Sequence, residues 1–127
     1  MSGQRILVVD DEPFILRSLT YVLTREGFDV VEARDGVEAI DVAQRTHPDL
    51  VFLDVMMPRK NGFDVLAEIK ATPALAQCRV ILLTAKGQDS DRELGFKLGC
   101  DDYLTKPFSP MRIVELARAV LGHAARA

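Results

Sequence analysis

Three short, unbroken apolar runs limit what this chain can fold into more than any other feature: Ile6-Leu7-Val8-Val9, Leu50-Val51-Phe52-Leu53 and Val80-Ile81-Leu82-Leu83. Each is too short for a helix, carries β-branched residues and is apolar at every position, as a strand covered on both faces must be. Two weaker runs, Val30-Val31 and Tyr103-Leu104, have acidic or polar neighbours and read as edge strands. Helical patterns fill the gaps. Ile15, Leu19, Val22 and Leu23 make one apolar stripe, with Pro13 in the first turn and Gly27 at the exit. Asp35 and Glu38 form a capping box for a second helix that Pro48 closes. Phe63, Leu66 and Ile69 mark a third, stopped by Pro73, and Ser90 with Glu93 caps a fourth that ends near Gly99. Ser109 and Pro110 open the last, with Ile113, Leu116, Ala117 and Val120 facing inward.

Strand and helix thus alternate five times, with no linker or low-complexity segment between them. That order predicts an α/β fold, a parallel sheet with helices on both faces and right-handed crossovers. The first, third and fourth strands are the most apolar and belong in the centre. This selects a doubly wound, flavodoxin-like (βα)5 sheet of order 2-1-3-4-5, whose ligands bind beyond the carboxyl ends of the strands near the switch between the first and third.

Chemistry-bearing residues gather at those ends. The first strand runs into Asp10-Asp11-Glu12, the third into Asp54, the fourth into Thr84-Ala85 and the fifth into Lys106-Pro107. Taken singly, each has an ordinary explanation: an exposed helix cap, a turn, a strand threonine, a surface lysine. Four loops distant in sequence and converging on one edge are harder to explain that way. Crowded carboxylates repel, so either some stay protonated or a cation holds them. All the candidate ligands are hard oxygens, with no His or Cys nearby, which suits Mg²⁺ (or Mn²⁺) rather than zinc.

The bulk composition excludes several other classes. Of 127 residues, 48% are hydrophobic and 28% charged, which argues against disorder. The net charge of −3 gives no reason to expect direct nucleic-acid binding. Cys78 and Cys100 lack metal-ligand or disulfide-framework spacing and read as reduced thiols. No signal peptide or membrane span is expected, so the predicted compartment is the cytoplasm. His47 and His123 read as surface residues.

The segments ILVVDDEP, LVFLDVMMPRKNGFDVL, ILLTAK and GCDDYLTKPF, in this order and spacing, resemble the receiver domains of two-component response regulators. The resemblance runs from Gln4 to about Leu121 and implies one receiver domain over 1–127, with a core of about 4–121 and a tail over 122–127. It implies that Asp54 accepts a phosphoryl group from a phosphohistidine on a sensor histidine kinase or phosphotransfer protein. It also implies that Mg²⁺ is bound by Asp11, Asp54 and the Met56 carbonyl, with Asp10 assisting through water. Thr84 and Lys106 would hold phosphoryl oxygens, helped by main-chain N–H groups of Val55, Met56 and Ala85, and Tyr103 would report the state of Thr84. The Lys106-Pro107 bond would be cis. Phosphorylation would alter the surface of the fourth helix, fifth strand and fifth helix, where an unknown downstream protein docks. Such a protein signals rather than turns over a substrate, promoting its own phosphorylation and slow dephosphorylation. Met56 and Lys86 occupy the family's lifetime-tuning positions, and neither can orient an attacking water.

Asp91-Arg92 and Asp101-Asp102 resemble the charge pairs through which many such domains dimerise. Arg112 stands where an acid is usual and Leu116 where a base is usual, so a monomer or weak dimer is expected. Among rivals, aspartate-nucleophile phosphatases need a second acid where Met56 stands. A flavin carrier on the same fold would want a phosphate-binding loop where Asp10-Asp11-Glu12 would repel phosphate, and no G-x-G-x-x-G is present. A receiver-like scaffold that is never phosphorylated would have no use for the intact acidic cluster, threonine and lysine.

Overall fold

The apolar runs occupy the middle of one parallel sheet. The computed structural model describes residues 4–57, 60–85 and 89–122. In chain order the elements are β1 Arg5–Val9, α1 Pro13–Arg25, β2 Asp29–Ala33, α2 Gly36–Thr46, β3 Leu50–Asp54, α3 Gly62–Ala71, β4 Arg79–Thr84, α4 Asp89–Leu98, β5 Asp102–Thr105 and α5 Pro110–Leu121. The strands are hydrogen-bonded in the order β2-β1-β3-β4-β5, with every pair parallel. β3 is buried along its whole length, and β1 and β4 are exposed only at their first residues, whereas β2 and β5 lie at the edges and are half-covered.

Side chains alternate across a strand, so each apolar run feeds two cores. Leu7, Val9, Val51, Leu53, Val80 and Leu82 pack on one face with residues of α2 and α3. Ile6, Val8, Leu50, Phe52, Ile81 and Leu83 pack on the other with α1 and α5. Burial on both faces is what requires the runs to be apolar at every position.

The helix ends follow the sequence signals in most cases. Gly27, at φ +97°, completes the α1 terminus: its N–H donates to the Thr24 carbonyl at 3.0 Å and the Phe28 N–H to that of Leu23 at 3.1 Å. Asp35 accepts from the Glu38 N–H at 2.8 Å, and Glu38 accepts from the Arg34 N–H at 2.7 Å, one residue earlier than a capping box requires. Asn61 caps α3 and Ser109 caps α5 through their side chains. Two details differ from expectation. α4 begins at Asp89, which places Ser90 inside the first turn instead of ahead of it. A single 3₁₀ turn, Pro73–Leu75, follows α3; Pro73 stops one helix and at the same time starts this turn, burying Leu75.

Gly62 couples the fold to the carboxyl edge. Its N–H donates to the Val55 carbonyl at 2.9 Å, and a Cβ added there would lie 2.5 Å from the Asp54 carbonyl oxygen. The two atoms it would strike, the Asp54 carbonyl oxygen and the Val55 Cα, are backbone, so no side chain can yield. Gly62→Ala is expected to lower stability by about 1–3 kcal/mol. A urea midpoint unchanged from the parent would contradict this close approach.

Candidate functional site

The sheet register builds the site. Val9 pairs with Leu53, which sets Asp10 beside Asp54; Asp54 pairs with Leu83, which sets Thr84 one residue further along. Thr84 pairs with Thr105, and the Lys106 N–H donates to the Thr84 carbonyl at 2.6 Å. Residues drawn from four strand ends therefore share one edge.

Asp10 is completely buried, Asp54 is 3% exposed, and Asp11 faces solvent. One carboxylate oxygen from each of these three lies within 4.8 Å of the others. Asp10 is held at both oxygens: Oδ1 accepts from the Glu12 N–H at 2.9 Å and Oδ2 from Lys106 Nζ at 3.0 Å. Lys106 Nζ also lies 3.5 Å from Asp54 Oδ1, which accepts a 3.3 Å hydrogen bond from the Met56 N–H. The Lys106-Pro107 peptide is cis.

One ammonium cannot balance three carboxylates. Burial, and after it the Asp10 charge, pushes the Asp54 carboxyl up to about 7. Lys106 and the Met56 N–H pull the other way without prevailing, and Asp11 adds a smaller upward push. Burial alone would draw the Lys106 ammonium down, but the Asp10 hydrogen bond and the charges of Asp54, Asp10 and Glu12 outweigh it, so its pKa moves up. Without a cation, Asp54 is thus partly protonated near neutral pH.

Thr84 is 1% exposed, and its Oγ1 has no hydrogen-bond partner among the described residues. A buried hydroxyl left unpaired is costly, and such groups cluster where a ligand completes them. Hard oxygens in convergence, an unpaired hydroxyl and an ammonium fit a divalent cation together with an oxyanion.

The remaining candidates divide. The Val55 N–H donates to the Leu83 carbonyl at 3.0 Å, so the ladder has already taken it. This corrects the expectation that Val55 offers a phosphoryl-binding N–H; of that set, Met56 and Ala85 remain. Tyr103 pairs with Leu82, on the same sheet face as Thr84 but two residues earlier. Its ring meets Phe96 of α4 edge-on at 6.4 Å, with the Arg92 guanidinium 5.3 Å from its centre. One Asp101 carboxylate oxygen accepts from the Val80 N–H at 2.8 Å, and Leu116 is in the core. Lys86 and His123 lie outside the described residues. The Glu12 N–H that fixes Asp10 and the Gly62 contact beneath Asp54 were not read from the sequence; an acidic loop and a glycine after a cap carry no signal of contacts that exist only in the fold.

Comparisons with known proteins place this geometry. A family model described as the response regulator receiver domain matches residues 6–118. The alkaline phosphatase synthesis transcriptional regulatory protein PhoP of Bacillus subtilis is 43% identical over 119 residues, covering 94% of this chain and 49% of that protein. The transcriptional regulatory protein CpxR of Escherichia coli is 46% identical over 117 residues, covering 92% and 49%. The chain therefore spans about half the length of these curated relatives. Among solved structures, the chemotaxis protein CheY4 of Vibrio cholerae superposes with a TM-score of 0.90 at 27% identity, covering 94% of this chain and 99% of that one. The receiver domain of Francisella response regulator 1452 gives 0.88 at 29%, covering 96% and 99%. Among the described residues, no helix is long and apolar enough to cross a membrane.

The raised Asp54 pKa has a definite sign. The folded state holds the proton more tightly than the unfolded chain, so stability is lost as pH rises from about 4 through about 7. With a chelator present, Asp54→Asn is expected to be more stable than the parent by on the order of 2–4 kcal/mol at pH 8, the two converging toward pH 4. Urea denaturation across that range checks it, and parallel curves would contradict it.

Proposed function

The chain belongs to the response regulator receiver domain family, and from that premise we propose that Asp54 is the residue that takes the phosphoryl group of a phosphohistidine on a sensor histidine kinase or phosphotransfer protein. An Asp54 carboxylate oxygen attacks phosphorus, the P–N bond breaks, and the imidazole leaves. The observation that carries this reading is the convergence of Asp10, Asp11 and Asp54 beside Lys106 and an unpaired Thr84 hydroxyl.

Each residue has a task set by its position. Asp11 and Asp54, with the Met56 carbonyl, would hold Mg²⁺ or Mn²⁺, and Asp10 would assist through water while fixing Lys106. A bound divalent ion supplies positive charge to the phosphoryl oxygens and removes the repulsion among the carboxylates. The Thr84 hydroxyl, the Lys106 ammonium and the Met56 and Ala85 N–H groups would receive the equatorial oxygens, over which the loose transition state spreads its charge. We propose a single receiver domain with its core over about 4–121, signalling rather than turning over substrate.

The phosphoryl group brings roughly −1.5 to −2 charges where the carboxylate had one. Drawing the Thr84 hydroxyl toward it would free space on the sheet face that Tyr103 shares, shifting population between two states of the α4–β5–α5 surface. Leu94 and Phe96 stand exposed on α4 and offer a downstream protein an apolar contact there. PhoP and CpxR are named as transcriptional regulatory proteins; control of transcription through this surface is the corresponding proposal for this chain.

With Mg²⁺ and acetyl phosphate, the parent protein is expected to take up one labile phosphoryl group and Asp54→Ala none, read by intact-protein mass. Stoichiometric labelling of Asp54→Ala would overturn the assignment.

A further inference from the structure

A second glycine leaves room for a neighbouring segment where a side chain would otherwise stand. Gly36 is the first residue of α2, just past the carboxyl end of β2, and it is buried. A Cβ added there would lie 2.4 Å from the Lys60 carbonyl oxygen and 2.6 Å from the Lys60 Cβ. Lys60 is tied to α3 as well: its Nζ pairs with the Glu68 carboxylate, and the next residue, Asn61, caps that helix by accepting from the Asp64 N–H at 3.0 Å. Gly62 follows, close against the Asp54 carbonyl and the Val55 Cα, with its N–H donated to the Val55 carbonyl. Residues 60 to 62 thus bridge the start of α2 to the backbone that carries the Asp54 carboxylate, which the Met56 N–H contacts. Of the two sides of the Gly36 contact, α2 is the firmer. Ala39, Ile40, Val42 and Ala43 anchor it in the core, and Asp35 caps it by accepting from the Glu38 N–H at 2.8 Å.

We propose that Gly36 is a positioning residue for the cation and phosphoryl site, acting through Lys60 and Gly62 on Asp54 and Met56. The inference rests on the reading of Asp54 as phosphoacceptor and adds to it a support that touches none of the reacting atoms. A methyl group at position 36 displaces Lys60, because the helix behind it is held by its core face and its cap. Close-packed interiors transmit such a displacement instead of absorbing it. It passes to Asn61 and Gly62, and Gly62 bears directly on the backbone of Asp54 and Val55. The Asp54 carboxylate and the Met56 carbonyl then lose the spacing that a small, geometrically demanding divalent ion requires. A misplacement that begins far from the chemistry is costly where reacting groups must be held in register.

The test measures the Mg²⁺ Kd by calorimetry, and labelling by acetyl phosphate at saturating Mg²⁺, in the parent, Gly36→Ala and Val42→Ala. Gly36→Ala is expected to weaken Mg²⁺ binding about tenfold, the low end of what loss of a support behind a metal ligand costs, and to slow labelling even at saturating Mg²⁺. Val42→Ala removes core volume from the same helix and should leave the Mg²⁺ Kd within about twofold, as a site independent of the cation does; lost stability alone therefore does not imitate the effect. In the parent, Mg²⁺ should move the amide resonance of Gly36 and leave that of Gly27, at the amino end of β2, in place, a reading that needs no variant to fold. A parental Mg²⁺ Kd in Gly36→Ala, equal losses in both variants, or a Gly36 resonance that Mg²⁺ leaves unmoved would overturn the positioning role and leave Asp54 as the acceptor. Failure of the parent to bind Mg²⁺ and to take up a phosphoryl group would remove the acceptor reading and this proposal with it.

Discussion

Asp10 and Asp54 sit almost entirely out of water, next to a third carboxylate, with a single ammonium between them. Two like charges 4 Å apart repel by about 4 kcal/mol at the effective dielectric of a protein surface, so this edge costs stability unless something positive completes it. The rest of the molecule keeps the arrangement from relaxing. Parallel ladders fix the four strand ends, the Glu12 N–H pins Asp10 from one side and Lys106 pins it from the other. Gly62 lets α3 press against the backbone of Asp54 and Val55.

That constraint also explains the division of labour in the sheet. The cores on its two faces are apolar and without charge among their buried members, which makes β1, β3 and β4 a stiff platform. Polar chemistry is confined to where the strands stop. At the half-covered β5 edge, Tyr103 packs against the core on the α2–α3 face and is met by the Phe96 ring and by the Arg92 guanidinium over its own ring. A change in charge at Asp54 has a route to that edge through Thr84, which lies on the same sheet face.

Much of this was legible in the residues. Runs apolar at every position can only be strands covered twice, and their ranking fixed the strand order; the termini of those runs then named Asp10, Asp54 and Thr84, and the end of the weaker fifth run named Lys106. What escaped depends on three-dimensional proximity. The Val55 N–H could not be known to be spent on Leu83 until the register placed it opposite that carbonyl. Gly62 read as a residue after a helix cap, because the atoms its missing Cβ makes room for belong to the strand before it. α4 starts at Asp89, two residues before the Asp91 start that a Ser90 cap would set, because a cap signal fixes a helix end only to within a turn. Lys106 was expected to meet a phosphoryl group; that it also neutralises Asp10 follows from the fifth strand ending beside the first loop's carboxylate, a relation across the width of the sheet.

The central claim is that burial, and after it repulsion from Asp10, keeps a proton on Asp54 which a divalent cation displaces. Titrating Mg²⁺ into the protein at pH 7 in buffers of different ionisation enthalpy, followed calorimetrically, measures the protons released per ion bound. With the Asp54 carboxyl at about 7, the account predicts release of about half a proton there, less at pH 8.5, and none from Asp54→Asn at either pH. Mg²⁺ binding with no proton release at pH 7 would contradict it.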